Sequence, residues 1–145
     1  MLTDEYFMRI ALQQAQLAFE ADEIPVGAVI VAQKTIVAKA HNQVERLKDA
    51  TAHAEILAMT AASNYLGSKY LKDCTLYVSL EPCVMCGGAI YWSQVGRLVF
   101  GAWDAKRGCE SLDLNILHPK TLVVGGILAD ENRQLLRHFF EQKRS

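Results

Sequence analysis

The sequence predicts an α/β fold, a three-layer α/β/α sandwich around a five-stranded mixed sheet, and three observations carry that expectation. Apolar runs at 26–32 and 35–40 flank Gln33-Lys34, the pattern of two strands closed by a tight turn. Runs at 75–80 and 97–101 bracket a helix-compatible stretch, a β-α-β unit whose two strands are parallel. Apolar residues at helical spacing occupy both flanks of the chain, near 4–22 and 129–143. The resulting order is α-β-β-α-β-α-β-α-β-α within one domain, residues 1–145, with helices on both sheet faces.

Taken in order, Thr3 suits an N-cap and Asp4 and Glu5 an acidic first turn. Phe7, Ile10, Ala11, Leu17, Ala18 and Ala21 then form the packing face of a helix ending near Asp22. Pro25 fixes the entry to the first strand. Gly27 allows close approach of a ligand or of another backbone segment, or marks a strand irregularity. His41 and Asn42 end the hairpin, a position where Asn suits a turn. Residues 43–51 read as a polar loop. A helix follows from Ala52 to about Leu66-Gly67, with Ile56, Leu57, Met59 and Ala61 on its buried face. Beyond the β-α-β unit, residues 103–108 leave the same strand edge and form either a cleft wall or a plain charged loop. Residues 121–124 give the fifth strand, Gly125-Gly126 a turn, and residues 129–143 the last helix.

Composition sets limits. At 145 residues, 51% hydrophobic and 21% charged, the chain suits a compact globule burying about two-thirds of its unfolded surface. A net charge of −1 excludes a global attraction to polyanions, so any nucleic-acid contact has to come from a local patch. One such patch is on the last helix, where Arg133, Arg137, Lys143 and Arg144 outnumber Glu141 beside Phe139 and Phe140; the plain alternative is a solvated face. No run reaches the length of a membrane span, and the acidic start, Met1 to Glu5, is unlike a signal peptide. A cytoplasmic location with reduced thiols is expected.

Chemistry concentrates in Thr51-Ala52-His53-Ala54-Glu55 and Leu80-Glu81-Pro82-Cys83-Val84-Met85-Cys86. Cys83 and Cys86, following Pro82, fall on the first turn of a helix, whose N-terminal partial charge favours thiolates. His53, at the start of another helix, supplies a third ligand and leaves a tetrahedral zinc with one position open to water, the mark of a catalytic site. Two thiolates offset the ion's charge, so its water is less acidified than in an all-histidine site and another group has to take the proton. Glu55, two residues from His53 but pointing elsewhere, is that proton shuttle. Alone, C-x-x-C also fits a redox pair or half of a structural zinc site. A redox pair has no need of His-Ala-Glu, and an all-cysteine site lacks its second pair because Cys74 and Cys109 stand apart. H-x-E followed by P-C-x-x-C is the known signature of zinc-dependent nucleobase deaminases.

Over nearly its whole length the chain resembles the bacterial tRNA-specific adenosine deaminases of the cytidine-deaminase-like superfamily. The matching stretches include Ile24-Pro25-Val26-Gly27-Ala28-Val29, both chemical motifs, Gly87-Gly88-Ala89, Thr75-Leu76-Tyr77-Val78, Val99-Phe100-Gly101-Ala102, Asp104-Ala105-Lys106 and Gly126-Ile127-Leu128-Ala129-Asp130-Glu131. The zinc motifs are shared across the superfamily; Met85, Gly88-Ala89 and Ala129-Asp130-Glu131 narrow the resemblance to the tRNA branch. It implies a cytidine-deaminase-like fold, a single zinc-dependent deaminase domain, and one Zn2+ per subunit on His53, Cys83 and Cys86 with Glu55 as catalytic acid and base. It further implies that Asn42, Ala54 and Asp104 bind substrate, Asn42 at the purine nucleoside and Asp104 beside the flipped nucleotide's backbone. RNA contacts implied are Lys106, Arg107, Arg133, Arg137, Phe139, Phe140 and Arg144, in a homodimer that meets a tRNA anticodon stem-loop. The implied reaction is hydrolytic deamination of adenosine to inosine at the wobble position, with water attacking C6 and Glu55 protonating N1 and then the leaving amine. A base in a single-stranded loop leaves its stack at small cost, which suits such a substrate.

Three stretches depart from the pattern. Trp103 stands where many members carry a basic residue, Tyr91-Trp92-Ser93 is similar to bacterial guanine deaminases, and Cys109-Glu110-Ser111 replaces a Gly-rich segment. Tyr91 and Trp92 sit more than one turn beyond the cysteines, where core or interface roles are usual. They keep a free purine base or nucleoside deaminase, guanine above all, as the rival reading. A noncatalytic zinc-stabilised binding subunit is the rival from another class, and Glu55 speaks against it.

Overall fold

The computed structural model describes residues 2–144, excluding the side chain of Arg144, so the RNA contact expected of Arg144 lies outside the described residues. Thr3 caps α1 (Asp4–Glu20), its Oγ1 accepting the Tyr6 N–H at 3.1 Å. The helix stops short of Asp22, which takes a left-handed φ of 63°. Its buried face is Phe7, Met8, Ala11, Ala15 and Ala18. Leu17 and Ala21, expected on that face, are exposed: the stripe that meets the sheet runs through 15 and 18 and leaves 17 off its axis, and Ala21 lies past the last turn as the C-cap.

β1 (Gly27–Ala32) and β2 (Thr35–His41) form the expected antiparallel hairpin. Gln33 and Lys34 both adopt left-handed backbone, φ 51° and 67°, which matches the strand twist in a two-residue turn. A Cβ at Gly27 would overlap the backbone of Ala11 and Ala15, so this glycine serves the packing of α1 on the strand and not a ligand. The expected loop at 43–51 contains a short helix, α2 (Val44–Leu47). α3 (Ala54–Leu66) begins two residues later than expected and ends at Gly67, φ 66°, in the left-handed cap that glycine takes without a Cβ penalty. It buries Ala54, Glu55, Ala58, Met59 and Ala62, whereas Ala61 is exposed.

β3 (Cys74–Leu80), α4 (Val84–Ser93) and β4 (Arg97–Ala102) make the β-α-β unit, with β3 and β4 parallel. The helix expected between the fourth and fifth strands is absent among the described residues; residues 103–121 form turns held by long-range hydrogen bonds. β5 (Leu122–Val124) pairs parallel with β4, and α5 (Ala129–Arg144) closes the chain. The sheet order is β2-β1-β3-β4-β5.

α3 and α4 cover one face, where Ala58, Met59 and Ile90 pack on Ile30, Leu76, Leu98 and Phe100. α1 covers the other, where Phe7, Met8 and Ala11 pack on Val29, Tyr77 and Val99, with α5 beside it. The three-layer expectation holds. β1 is antiparallel to both β2 and β3, so β2, β3 and β4 point the same way. Residues after the ends of those three strands, and those before β1, therefore meet at one edge of the sheet, where open α/β folds bind ligands.

At the opposite edge Arg97 Nη1 and Nη2 donate to both oxygens of Asp4 at 2.7 and 2.6 Å, and the Tyr77 hydroxyl donates at 2.8 Å. Arg97 above all, and Tyr77, hold the Asp4 carboxyl below its ordinary range despite partial burial. A folded-state value below the unfolded one stabilises the protein above the usual aspartate range and is lost as pH falls through the folded value. Asp4→Asn is expected to cost about 1 kcal/mol in chemical denaturation at neutral pH, less in high salt, with the difference from the parent shrinking as the pH drops below about 4.

Candidate active site

The two chemical motifs meet at the strand edge just described. His53 is the N-cap of α3 with extended backbone, φ −74° and ψ 152°, and Cys83 is the N-cap of α4, φ −71° and ψ 176°. The ligands thus hang from the turns entering two neighbouring helices, with Cys86 one turn into α4. Asn42 ties the first turn in place: its Oδ1 accepts the Ala54 N–H at 2.7 Å, satisfying an N-terminal donor of α3. Ala52 O accepts the Gln43 N–H at 3.0 Å, closing the loop between them.

His53 Nδ1 lies 3.7 Å from Cys83 Sγ and 3.6 Å from Cys86 Sγ, and all three donor atoms fall within 4.8 Å of one another. A tetrahedral zinc with Zn–S of about 2.3 Å and Zn–N of about 2.0–2.1 Å puts a sulfur and a nitrogen ligand about 3.6 Å apart. The observed spacing is that of ligands around such an ion, and Nδ1 is the ring nitrogen that faces both sulfurs.

The proton balance points the same way. The Cys86 thiol hydrogen-bonds to Cys83, which with the His53 hydrogen bond pulls Cys83 down to about 4 against burial. That shared hydrogen bond, then burial and the Glu55 and Cys83 charges, push Cys86 up. The Cys83 hydrogen bond raises His53 against burial. The pair of sulfurs therefore keeps one proton between them, and a divalent cation supplies the charge that lets both become thiolates.

Glu55 lies one residue into α3, is 3% exposed and lines the cleft, outside the cluster of three donors. Burial pushes its carboxyl up to about 7, opposed by its own backbone N–H and by the Cys86 thiol. A carboxyl poised there both takes and releases a proton at neutral pH.

The cleft encloses about 860 Å³. His53, Glu55 and Cys83 line it together with Asn42, Glu81, Trp103, Asp104 and the end of α5. Trp103 is half exposed and stands edge-on to Phe100 at 4.7 Å; of residues 103–108, read as a cleft wall, 103–107 line the cleft and Gly108 does not. Asp104 accepts the Lys106 and Arg107 N–H groups at 3.2 and 3.1 Å, which turns the loop so that both basic residues border the cleft. Ala54 is fully buried and its N–H is taken by Asn42; it does not line the cleft. Phe140 and Lys143 line the mouth, and Phe139 does so while packing edge-on against Phe19. Arg133 and Arg137 are exposed and lie outside the lining, Arg133 paired with Asp130. Tyr91 and Trp92 are exposed and also outside it.

Sequence reasoning missed two buried carboxylates. Glu23 accepts the Glu45 and Arg46 N–H groups at 3.0 and 2.9 Å, and Glu81 accepts those of Asp104, Glu110 and Ser111 at 2.8, 2.9 and 2.6 Å. The available signal was Glu81 standing between an apolar strand and Pro82, where a solvated role is out of place.

Residues 1–102 match the family profile for the cytidine and deoxycytidylate deaminase zinc-binding region. The chain is 51% identical over 118 residues to a tRNA-specific adenosine deaminase of Aquifex aeolicus, covering 81% of this chain and 78% of that one. It is 42% identical to the tRNA-specific adenosine deaminase of Bacillus subtilis, covering 99% of this chain and 92% of that one. This chain belongs to the tRNA-specific adenosine deaminase branch of the cytidine-deaminase-like family. Within the family, a structure solved in a study of A-to-I editing by tRNA:A34 deaminases superposes with a TM-score of 0.85 at 39% identity, covering 90% of this chain and 99% of that one. A guanine deaminase from Nitrosomonas europaea superposes with a TM-score of 0.79 at 29% identity, covering 93% of this chain and 83% of that one. The family match and the His53, Cys83, Cys86 cluster fit one zinc ion per chain.

Removing one sulfur removes the ion. Cys86→Ala is expected to bring zinc, measured by metal analysis, well below one ion per chain and to lower the melting temperature. A strong chelator lowers the melting temperature of the parent and leaves that of the variant where it was.

Proposed function

We propose that this protein converts adenosine to inosine in tRNA, at the wobble position of the anticodon, as a zinc-dependent hydrolytic deaminase. One observation carries the chemistry: an imidazole and two sulfurs at tetrahedral spacing beside a buried carboxyl that is not among them, at the floor of a cleft. His53, Cys83 and Cys86 hold the zinc, which when bound activates water as a nucleophile. Glu55 accepts one proton of the attacking water and delivers it to N1 as the C6–O bond forms, then takes the proton left on the C6 hydroxyl and passes it to the amine. The C6–N bond breaks, ammonia leaves and the carbonyl of inosine remains. Asn42 fixes the entering purine nucleoside, since its oxygen is spent on Ala54 and its amide N–H groups remain as donors.

The macromolecular substrate is supported by what surrounds that floor. Lys106, Arg107 and Lys143 border the cleft, with Lys143 paired to Asp22 and Trp103 and Phe140 offering flat faces. Arg133, Arg137 and Phe140 recur along one side of α5 at spacings of four and three, extending a basic stripe from the cleft mouth. Asp104 lines the cleft wall, and the family resemblance assigns it to the backbone of the flipped nucleotide. Tyr91 and Trp92, the stretch that favoured guanine, lie away from the cleft, and the guanine deaminase likeness is at lower identity than the tRNA deaminase one. Residues 1–145 act as one deaminase domain, in a homodimer, in the cytoplasm. Among the described residues no helix is long and apolar enough to cross a membrane.

The test incubates the protein with an anticodon stem-loop carrying a wobble adenosine and, separately, with guanine, adenosine and cytidine, and measures inosine and ammonia. Inosine in the stem-loop with little ammonia from the small substrates supports the proposal; fast, salt-insensitive turnover of guanine contradicts it. Stem-loop affinity is expected to fall as salt rises, with the slope reduced by about one for Arg107→Ala. Glu55→Ala is expected to retain zinc and fold while kcat falls by about 10²- to 10⁴-fold.

A further inference from the structure

We propose that Glu81 is a positioning residue, which fastens the substrate-facing loop 103–111 to the peptide that carries the zinc ligand Cys83. Its carboxylate is 2% exposed and is surrounded by donors from that loop: the N–H groups of Asp104, Glu110 and Ser111, and the Ser111 hydroxyl. Four donors saturate two carboxylate oxygens and leave nothing for a substrate.

The backbone repeats the connection on either side. The Cys109 N–H donates to Pro82 O at 2.8 Å, the Glu81 N–H donates to Ala102 O at 2.8 Å, and Cys83 bridges to Gly108. Gly108 passes so close that a Cβ there would overlap the Glu81 carboxyl group. Residues 103–111 have no helix or strand of their own among the described residues, so these contacts replace regular structure. Trp103, Asp104, Ala105, Lys106 and Arg107, all on this loop, line the cleft. The distance from the metal ligands to the substrate-facing wall is therefore set through the Glu81 carboxylate together with the backbone contacts that flank it. Its consequence for tRNA rests on the function proposed above.

The test uses two full-length variants that attack the contact from opposite sides. Glu81→Gln keeps the shape but turns an N–H donor toward N–H donors, and Gly108→Ala keeps the charge but pushes the carboxyl group aside. Three readouts are taken: zinc per chain, hydrogen exchange of the amides of residues 103–111, and KM and kcat on the wobble-adenosine stem-loop.

Both variants are expected to hold one zinc per chain, to exchange those amides at least about tenfold faster while α1 and β1 stay protected, and to raise KM about tenfold with a smaller fall in kcat. The double variant is expected to be no worse than either single one, since both break the same contact. Unchanged exchange in both variants overturns the proposal, and so does loss of zinc, which would place Glu81 in support of the metal instead. If the parent protein leaves the stem-loop untouched, the tRNA reading fails, while the exchange and zinc results still decide whether Glu81 clamps the loop.

Discussion

An imidazole nitrogen and two sulfurs, one buried and one half-buried, stand at the spacing that a single cation between them satisfies, and the rest of the site depends on holding them there. Both helices that bring these donors together start at the same sheet edge, because β2 and β3 point the same way on either side of β1. The α3 and α4 N-termini direct partial positive charge at the thiolates and at Glu55. Asn42 holds one helix entrance and the Glu81-Pro82-Cys83 peptide the other, so the spacing of the donors is a property of the sheet edge and not of the donors alone.

Three buried glutamates near this edge show how environment divides one residue type into different tasks. Glu23 and Glu81 accept backbone N–H groups from the loops that flank the cleft, and their negative charge is spent on holding those loops. Glu55 has no such set of loop donors, and burial raises its affinity for a proton. The first two fix geometry, while the third is free to exchange a proton with whatever occupies the cleft.

Much of this was legible in the chain. The hairpin at Gln33-Lys34 and the parallel β-α-β unit follow from turn chemistry and strand periodicity, which act over a few residues, while the meeting of His53 with Cys83 and Cys86, 30 and 33 residues away, was read from the H-x-E and P-C-x-x-C motif. What was not legible depended on contacts distant in sequence. The segment 103–121 lacks the expected helix and bonds at a distance instead, the Asp104, Glu110 and Ser111 N–H groups to Glu81 and the Thr121 hydroxyl to the Val95 carbonyl, partners that no local pattern reveals. Leu17 reads as core by its chemistry, yet small residues at 11, 15 and 18 meet the strand instead, and Ala54 reads as substrate-facing by resemblance, yet its N–H belongs to Asn42. Asn42, read from its position as a turn residue, caps a helix with its oxygen while lining the cleft.

The most direct measurement is X-ray absorption at the zinc edge on the purified protein. The expected result is a four-coordinate ion with two sulfurs at about 2.3 Å and two lighter atoms at about 2.0–2.1 Å, one nitrogen and one exchangeable oxygen, unchanged in scattering shells by Glu55→Ala. A third sulfur, two imidazole nitrogens, or a shell altered by loss of the Glu55 carboxyl would contradict it.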